Sequence, residues 1–257
     1  YMPVNGNHDD NCIWDPVCIK EQKAINHLLP EERYTLFYNH APQNGAVFNR
    51  QKRGLYYYAD NKDARVRYIF LDTGDVPYKY DENGALVYFT HNFYAFSQAQ
   101  LDWLVNEALA FEEDGWAVMV FQHVPPLNMS FETREDLSRI SIIHDILKSR
   151  NDGADLKINC GTGDFCIELN AEFSKYKSCD IVAVMCGHIH CDDEKKIDGI
   201  QYISTANSVM YIREKNPLNR FDGTKNELLF DMATINKKER TLSLIRVGAG
   251  EDRKFKY

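Results

Sequence analysis

The stretch that most constrains this chain is Val182-Ala183-Val184-Met185-Cys186 running straight into Gly187-His188-Ile189-His190. An uncharged apolar run of this kind reads as a strand buried on both faces, as in the interior of a parallel sheet. It ends at a glycine, where a chain turns sharply or comes close to a ligand. Two histidines follow at i and i+2, and in an extended loop both imidazoles project to one side. Ligands of open α/β sheets bind beyond the carboxyl ends of the strands. Neutral imidazole is the commonest side-chain metal ligand, so the pair reads as part of a metal site. Two hydrogen-bonded loop histidines are the plainer alternative.

At 257 residues the chain is long enough to bury a sizeable core, and 44% hydrophobic with 26% charged residues is ordinary for a soluble globular protein. A net charge of −8 argues against a nucleic-acid or anionic-membrane partner. A phosphate-ester substrate would then need local positive charge, such as bound metal ions. No apolar run is long enough to span a bilayer. The seven cysteines include no Cys-x-x-Cys pair, which argues against a zinc knuckle and suits reduced thiols in a cytoplasmic protein. Cys160 and Cys166 could bridge a loop in an oxidising compartment. Tyr1-Met2-Pro3-Val4 reads as the end of a strand, so further residues are expected upstream.

Along the chain, the turn-rich Asn5-Gly6-Asn7-His8-Asp9-Asp10 precedes a helix predicted over Pro16 to Leu29. Gly54–Tyr58 and Val66–Leu71 form a predicted hairpin. Ser97 reads as an N-cap, with Gln100 in the capping-box position, for a helix over Gln98–Phe111 whose Leu101, Leu104, Val105 and Leu109 form a core stripe. Ala117–Phe121 is a buried strand running into Gln122-His123-Val124-Pro125. The long polar section from Leu127 to Ser178 holds a predicted helix at Ser138–Lys148 and a glycine-rich turn at Asn159–Gly163. Helices between buried strands are the grammar of an α/β sheet. Ile200–Ser204 is a further strand, Leu228–Ile235 and Thr241–Val247 pair, and Gly248–Arg253 reads as a closing tail. No repeat or linker divides the chain, so residues 1–257 are expected to be a single domain.

Three loops that follow candidate strands thus carry histidine: Asn7-His8-Asp9, His123, and His188-x-His190. One shared site is the economical explanation. In this order and spacing, Gly6-Asn7-His8-Asp9, His123 with Pro125, and Gly187-His188-Ile189-His190 resemble the later motifs of the calcineurin-like metallophosphoesterases. Leu71-Asp72-Thr73 and Gln98-x-Gln100-Leu101-Asp102-Trp103-Leu104 add to the resemblance, which covers nearly the whole chain. It implies an α/β fold, a two-sheet β-sandwich flanked by helices in α-β-β-α layers, with a dinuclear metal centre at the strand ends. By the same resemblance, Asn7, His123 and His188 are ligands of one ion and His190 of the other. His8 is the catalytic histidine, and Asp9 holds its imidazole. Two divalent ions, Mn, Fe, Zn, Co or Ni, would activate hydroxide for attack on a phosphomonoester or phosphodiester.

One departure from the family pattern stands out. The family's Asp-x-His and Gly-Asp-x-x-Asp motifs, which supply metal ligands including the bridging carboxylate, do not precede Gly6. Gly74-Asp75 lies too late in the chain to replace them. The expectation is therefore a domain lacking its first strands, with residues 127–178 as an insertion shaping the substrate site. Two rivals follow: a catalytically inactive domain of this fold with a binding role, and a different metallohydrolase chemistry on the same sheet. Other residues have plainer readings. His91 lies outside the pattern, and His27, His40 and His144 read as solvated or packing residues. Asp192 supports a histidine or faces solvent. Cys186 reads as a buried strand residue, Tyr56–Tyr58 as strand packing, and Arg253 as a tail salt bridge.

Overall fold

The computed structural model describes residues 1–11, 27–49, 54–129, 137–208, 220–221 and 223–257. The alternating apolar pattern of residues 46–70 forms β1 (Ala46–Phe48), β2 (Tyr57–Asn61) and β3 (Val66–Phe70), joined as antiparallel neighbours. The buried runs then give β4 (Trp116–Phe121) and β7 (Cys179–Cys186), which lie parallel to β3 and to each other. The sheet is completed by β9 (Ile200–Ser204), parallel to β7, and β8 (Asp193–Ile197), antiparallel to β9. Its seven strands run in the order β1-β2-β3-β4-β7-β9-β8. A separate three-stranded sheet holds β10 (Leu229–Asn236), β11 (Thr241–Gly248) and β12 (Arg253–Lys256). This is a mixed α/β arrangement with a large central sheet and few helices.

The central strands are apolar on both sides because both sides are covered. On one side, Ile69, Val118, Val120, Ile181 and Val184 share a core with α2 (Gln98–Trp103) and α3 (Ile142–Asp152), through Leu101, Trp103, Ile143 and Ile146. On the other, Val66, Ala117, Met119, Val182 and Ile203 pack with Leu242, Leu244 and Phe255 of the three-stranded sheet.

Several elements differ from the sequence-based expectation. Tyr1–Val4 is not a strand. Pro3 has no N–H for a ladder, its carbonyl accepts from Tyr57 Oη at 2.7 Å, and Met2 and Val4 pack against the Tyr38, Leu55, Tyr57 and Phe70 cluster. The helix predicted at 16–29 falls largely outside the described residues; α1 (Pro30–Arg33) follows it and runs into a π-helical turn, Tyr34–Tyr38. The helix at Gln98 is α-helical to Trp103 and then widens into a π-turn, Leu104–Ala108, closed by Leu109 N donating to Leu104 O at 2.8 Å. Its last carbonyls are taken by two buried arginines, Arg67 Nη1 to Ala108 O at 3.0 Å and Arg150 Nε to Leu109 O at 2.9 Å.

The capping box at this helix is half made. Ser97 Oγ accepts from Gln100 N at 3.1 Å, but the Gln100 side chain clasps the backbone of Asp72 instead, at 2.9 and 3.0 Å. The helix predicted from Ser138 begins at Ile142 and stops where Gly153 takes a φ of 64°. Within 127–178 there is also an antiparallel pair, β5 (Leu156–Cys160) with β6 (Ile167–Ala171). Of the tail read over Gly248–Arg253, Gly248 ends β11 and Arg253 begins β12, which pairs antiparallel with β11.

Candidate metal centre

The register of the central strands brings the histidine loops together. Phe121 of β4 lies opposite Met185 of β7, and the ladder continues past both strand ends. Gln122 N donates to Met185 O at 3.0 Å, and Gly187 N to His123 O at 2.9 Å. His123 and His188 are neighbours for that reason, with ring centroids 5.2 Å apart and His188 Nδ1 at 3.3 Å from His123 Nε2.

The loop after β7 is not extended, contrary to the i, i+2 expectation. Ile189 N donates to Gly187 O at 2.7 Å, a γ-turn centred on His188. His188 has a φ of 65° and His190 a φ of 58°. A γ-turn with a positive central φ is the rarer and more strained form. The left-handed step is thus taken by the histidine and not by Gly187. Strain of this kind on a non-glycine residue persists where surrounding contacts hold it, and it clusters at functional sites.

The opening loop is pinned from three directions. Asn5 Nδ2 donates to Asp72 Oδ1 at 2.8 Å, and Asn5 Oδ1 accepts from the buried Arg33 Nη1 at 2.7 Å. Thr90 Oγ1 donates to Asp10 Oδ2. Asn7 Nδ2 donates to His91 O at 3.0 Å, which leaves Asn7 Oδ1 at 2.9 Å from His123 Nε2. His8 stands edge-on to His91, centroids 5.1 Å apart. Asp9 Oδ2 accepts from Gly6 N at 2.8 Å and so braces the turn that carries Asn7 and His8.

Burial, followed by the neighbouring imidazoles of His188, His8 and His190, pulls the pKa of His123 down to about 3. His123 is therefore neutral at pH 7, the form that binds metals. Burial and the Asp75 carboxylate push Asp72 up to about 6, against the opposing pull of Arg33. Burial raises Asp9 as well.

The donor set tests whether a metal ion fits. Bonds of about 2.0–2.2 Å place adjacent donor atoms about 2.8–3.6 Å apart around a tetrahedral or octahedral ion. Asn7 Oδ1, His123 Nε2 and His188 Nδ1, separated by 2.9 and 3.3 Å, match such an edge. Among the described residues, no group of three or more His, Cys, Asp or Glu side chains is placed to hold a metal ion. The convergent set owes its third member to an amide oxygen.

No family model matches this chain, and no curated protein matches it. Among solved structures it is similar to the crystal structure of a dimetal phosphatase from Danio rerio, at a TM-score of 0.53 and 12% identity. The match covers 90% of this chain and 69% of the other. The likeness is one of fold.

His91 and Tyr94 belong to the site's surroundings although nothing in the sequence singles them out. Tyr94 Oη donates to His91 O at 2.6 Å, and its ring stands 5.4 Å from that of His188. His144 lies elsewhere, bonded to Tyr202 Oη at 2.8 Å and Asp198 at 3.1 Å. Asp192 neither supports a histidine nor faces solvent alone. It receives both Nη atoms of Arg246 at 2.8 Å and the Ala206 N–H at 3.0 Å. Arg253 makes the tail salt bridge, to Asp231 at 2.9 Å. Cys186 is buried in β7, and Cys160 and Cys166 are exposed free thiols. No described helix is long and apolar enough to cross a membrane.

Proposed function

We propose that this chain is a metal-dependent phosphoesterase acting on a phosphomonoester or phosphodiester. The observation that carries the reading is the convergence of Asn7 Oδ1, His123 Nε2 and His188 Nδ1 at the ends of adjacent parallel strands. These three would hold one divalent ion, with His190 assigned to a second; Mn, Fe, Zn, Co or Ni suit mixed nitrogen and oxygen donors. When bound, such ions polarise phosphoryl oxygens and lower the pKa of water.

The chain's own residues do the remainder. The low pKa of His123 keeps its ring neutral and ready to bind across the physiological range. The Asn7 bond to His91 O fixes the amide so that its oxygen faces the site. His8 is assigned the proton delivered to the leaving-group oxygen, and the Asp9 brace on Gly6 holds the turn from which it reaches. Residues 127–178 are assigned the substrate wall.

A second reading, a non-catalytic domain of the same fold, is favoured by the absence among the described residues of a His, Cys, Asp and Glu group for a metal. One experiment separates the two. The protein is dialysed against Mn, its metal content is measured, and 4-nitrophenyl phosphate and bis(4-nitrophenyl) phosphate are offered. Retained Mn with hydrolysis of either ester supports the enzyme. His188→Ala should then lose both metal and turnover, whereas His8→Ala keeps the metal and slows turnover about 10²–10⁴-fold. Retained Mn with hydrolysis of neither ester leaves the binding domain standing.

A further inference from the structure

Tyr94 reaches the candidate centre through two separate parts of one side chain. Its backbone neighbour is tied to the sheet: Ala95 N donates to Thr73 O at 3.0 Å, and a parallel bridge joins Ala95 to Gly74, just past the end of β3. The Tyr94 side chain belongs to the main buried core, together with Leu71, Phe96 and Leu101, and the residue is 1% exposed. From that anchorage the hydroxyl donates to His91 O at 2.6 Å, and the ring stands edge-on to His188 with centroids 5.4 Å apart.

The hydroxyl bears on Asn7. An asparagine amide can face a site with its oxygen or, rotated by half a turn, with its nitrogen, and only the oxygen can ligate a cation. The Asn7 nitrogen is turned toward His91, 3.0 Å from the carbonyl oxygen and 3.4 Å from Nδ1, while the oxygen faces His123. Rotation would set Oδ1 against the His91 carbonyl, two acceptors with no proton between them. The amide is therefore held only as firmly as that carbonyl. A carbonyl oxygen has two lone pairs, and here one serves Asn7 and the other Tyr94.

The ring bears on His188. That residue takes a φ of 65° within a γ-turn, so no regular strand sets the direction of its imidazole. The edge-to-face contact with Tyr94 supplies a wall for it. Asn7 and His188 are the two donors that flank His123, at 2.9 and 3.3 Å. One core side chain thus bears on both.

We infer that Tyr94 is a positioning residue of this centre. Its hydroxyl fixes the Asn7 amide through the His91 carbonyl, its ring fixes the His188 imidazole, and together they set the spacing of the three donors before any ion arrives. The inference rests on the metal-dependent reading for the ion alone, because the contacts themselves hold in the metal-free chain.

The test uses the full chain and Co, whose visible absorption reports the ligands around it. Tyr94→Phe keeps the ring and loses the hydroxyl, and Tyr94→Leu loses both. Tyr202→Phe is the control, since it removes another buried hydroxyl, bonded to His144 at 2.8 Å and away from the centre. Tyr94→Phe should weaken Co binding about tenfold and change the spectrum of the bound ion, and Tyr94→Leu should weaken binding further. Tyr202→Phe should stay within about twofold of wild type. A Tyr94→Phe affinity within that same margin overturns the inference, and so does an equal loss in Tyr202→Phe, which general loosening would explain.

A second measurement needs no ion. In urea unfolding of the metal-free chain, Tyr94→Phe and Asn7→Ala should be coupled, the double variant losing less than the product of the two single effects by about threefold or more in the unfolding constant. Independent effects overturn the inference. If the wild-type chain binds no Co, the metal-dependent reading falls, and this cycle alone decides whether Tyr94 holds Asn7.

Discussion

Asn7 and His123, 116 positions apart in the chain, meet with Oδ1 at 2.9 Å from Nε2. Neither the loop nor the strand end would bring them together alone. The opening loop is fastened through Asn5 to Asp72 and through Asp10 to Thr90, and His123 is fixed by the β4–β7 register. The contact is where these two systems join, so it reports on both.

Asn7→Ala should lower the stability of the metal-free protein by about 1–3 kcal/mol, since it strips a bond from His91 O and another from His123. Asn7→Asp should also destabilise the metal-free state, because a carboxylate cannot donate to His91 O. It should nevertheless bind Mn more tightly than wild type, an anionic oxygen replacing a neutral one. Urea unfolding and Mn titration check the pair. A stability loss under about 0.5 kcal/mol for Asn7→Ala would show that the loop is held by its other anchors.

His188 sits at a φ of 65°, a conformation that costs a non-glycine residue about 1–3 kcal/mol. His188→Gly should therefore be more stable than His188→Ala by about 1 kcal/mol in urea without metal, although both lose the same imidazole. Equal midpoints would mean that the backbone relaxes once the ring is gone, and that the strain belongs to the histidine's contacts.

Much of this fold was legible in the sequence, for identifiable reasons. The runs at Ala117–Phe121 and Val182–Cys186 are buried on both faces, so composition alone marked them as central strands. The hairpin over Gly54–Tyr58 and Val66–Leu71 followed from aromatic and β-branched residues around a polar stretch, although its first strand lies at Tyr57–Asn61, three residues later than read. Where long-range contacts decide, local pattern failed. Gln100 sits in a capping-box position, yet its side chain is captured by Asp72, 28 residues away. Arg253 begins a strand because β11 offers it a partner, whereas its own neighbours, rich in glycine and charge, read as a tail. The strand exits bearing His123 and His188 were visible as motifs, but His91 joins them through its backbone carbonyl, which Asn7 reaches, together with ring contacts to Asn7 and His8. A backbone contact leaves no trace in side-chain identity.

Arg246, whose side chain is 1% exposed, donates to Asp192 and Asp231 and thereby ties the loop after His190 to the three-stranded sheet. Arg246→Met keeps much of the bulk but leaves the almost fully buried Asp231 with Arg253 as its one cationic partner among the described residues. Removing one member of a buried charge network typically costs about 3–5 kcal/mol, and a loss in that range is expected here. The double variant Arg246→Met with Asp231→Leu should recover part of it. If the single variant costs under 1 kcal/mol, the network is screened and does not fasten the loop.

Asp72 gives the stability of the metal-free protein a pH dependence of definite sign. Its folded pKa is raised from 3.8 to about 6, so the folded state holds the proton more tightly than the unfolded chain does. Below about pH 4 both states are protonated and the group contributes nothing to the slope. Between about pH 4 and 6 the unfolded chain releases the proton first, and stability falls as pH rises; above that window both states are ionised and the slope vanishes. A full shift of this size corresponds to a loss on the order of 2–3 kcal/mol. Asp72→Asn can still accept from Asn5 Nδ2 and Gly74 N while carrying no charge. Its stability relative to wild type should therefore improve between pH 4 and pH 7, measured as the difference in urea midpoints. A difference that stays constant across that range would mean that Arg33 compensates the Asp72 charge fully, and that the carboxylate is ionised throughout.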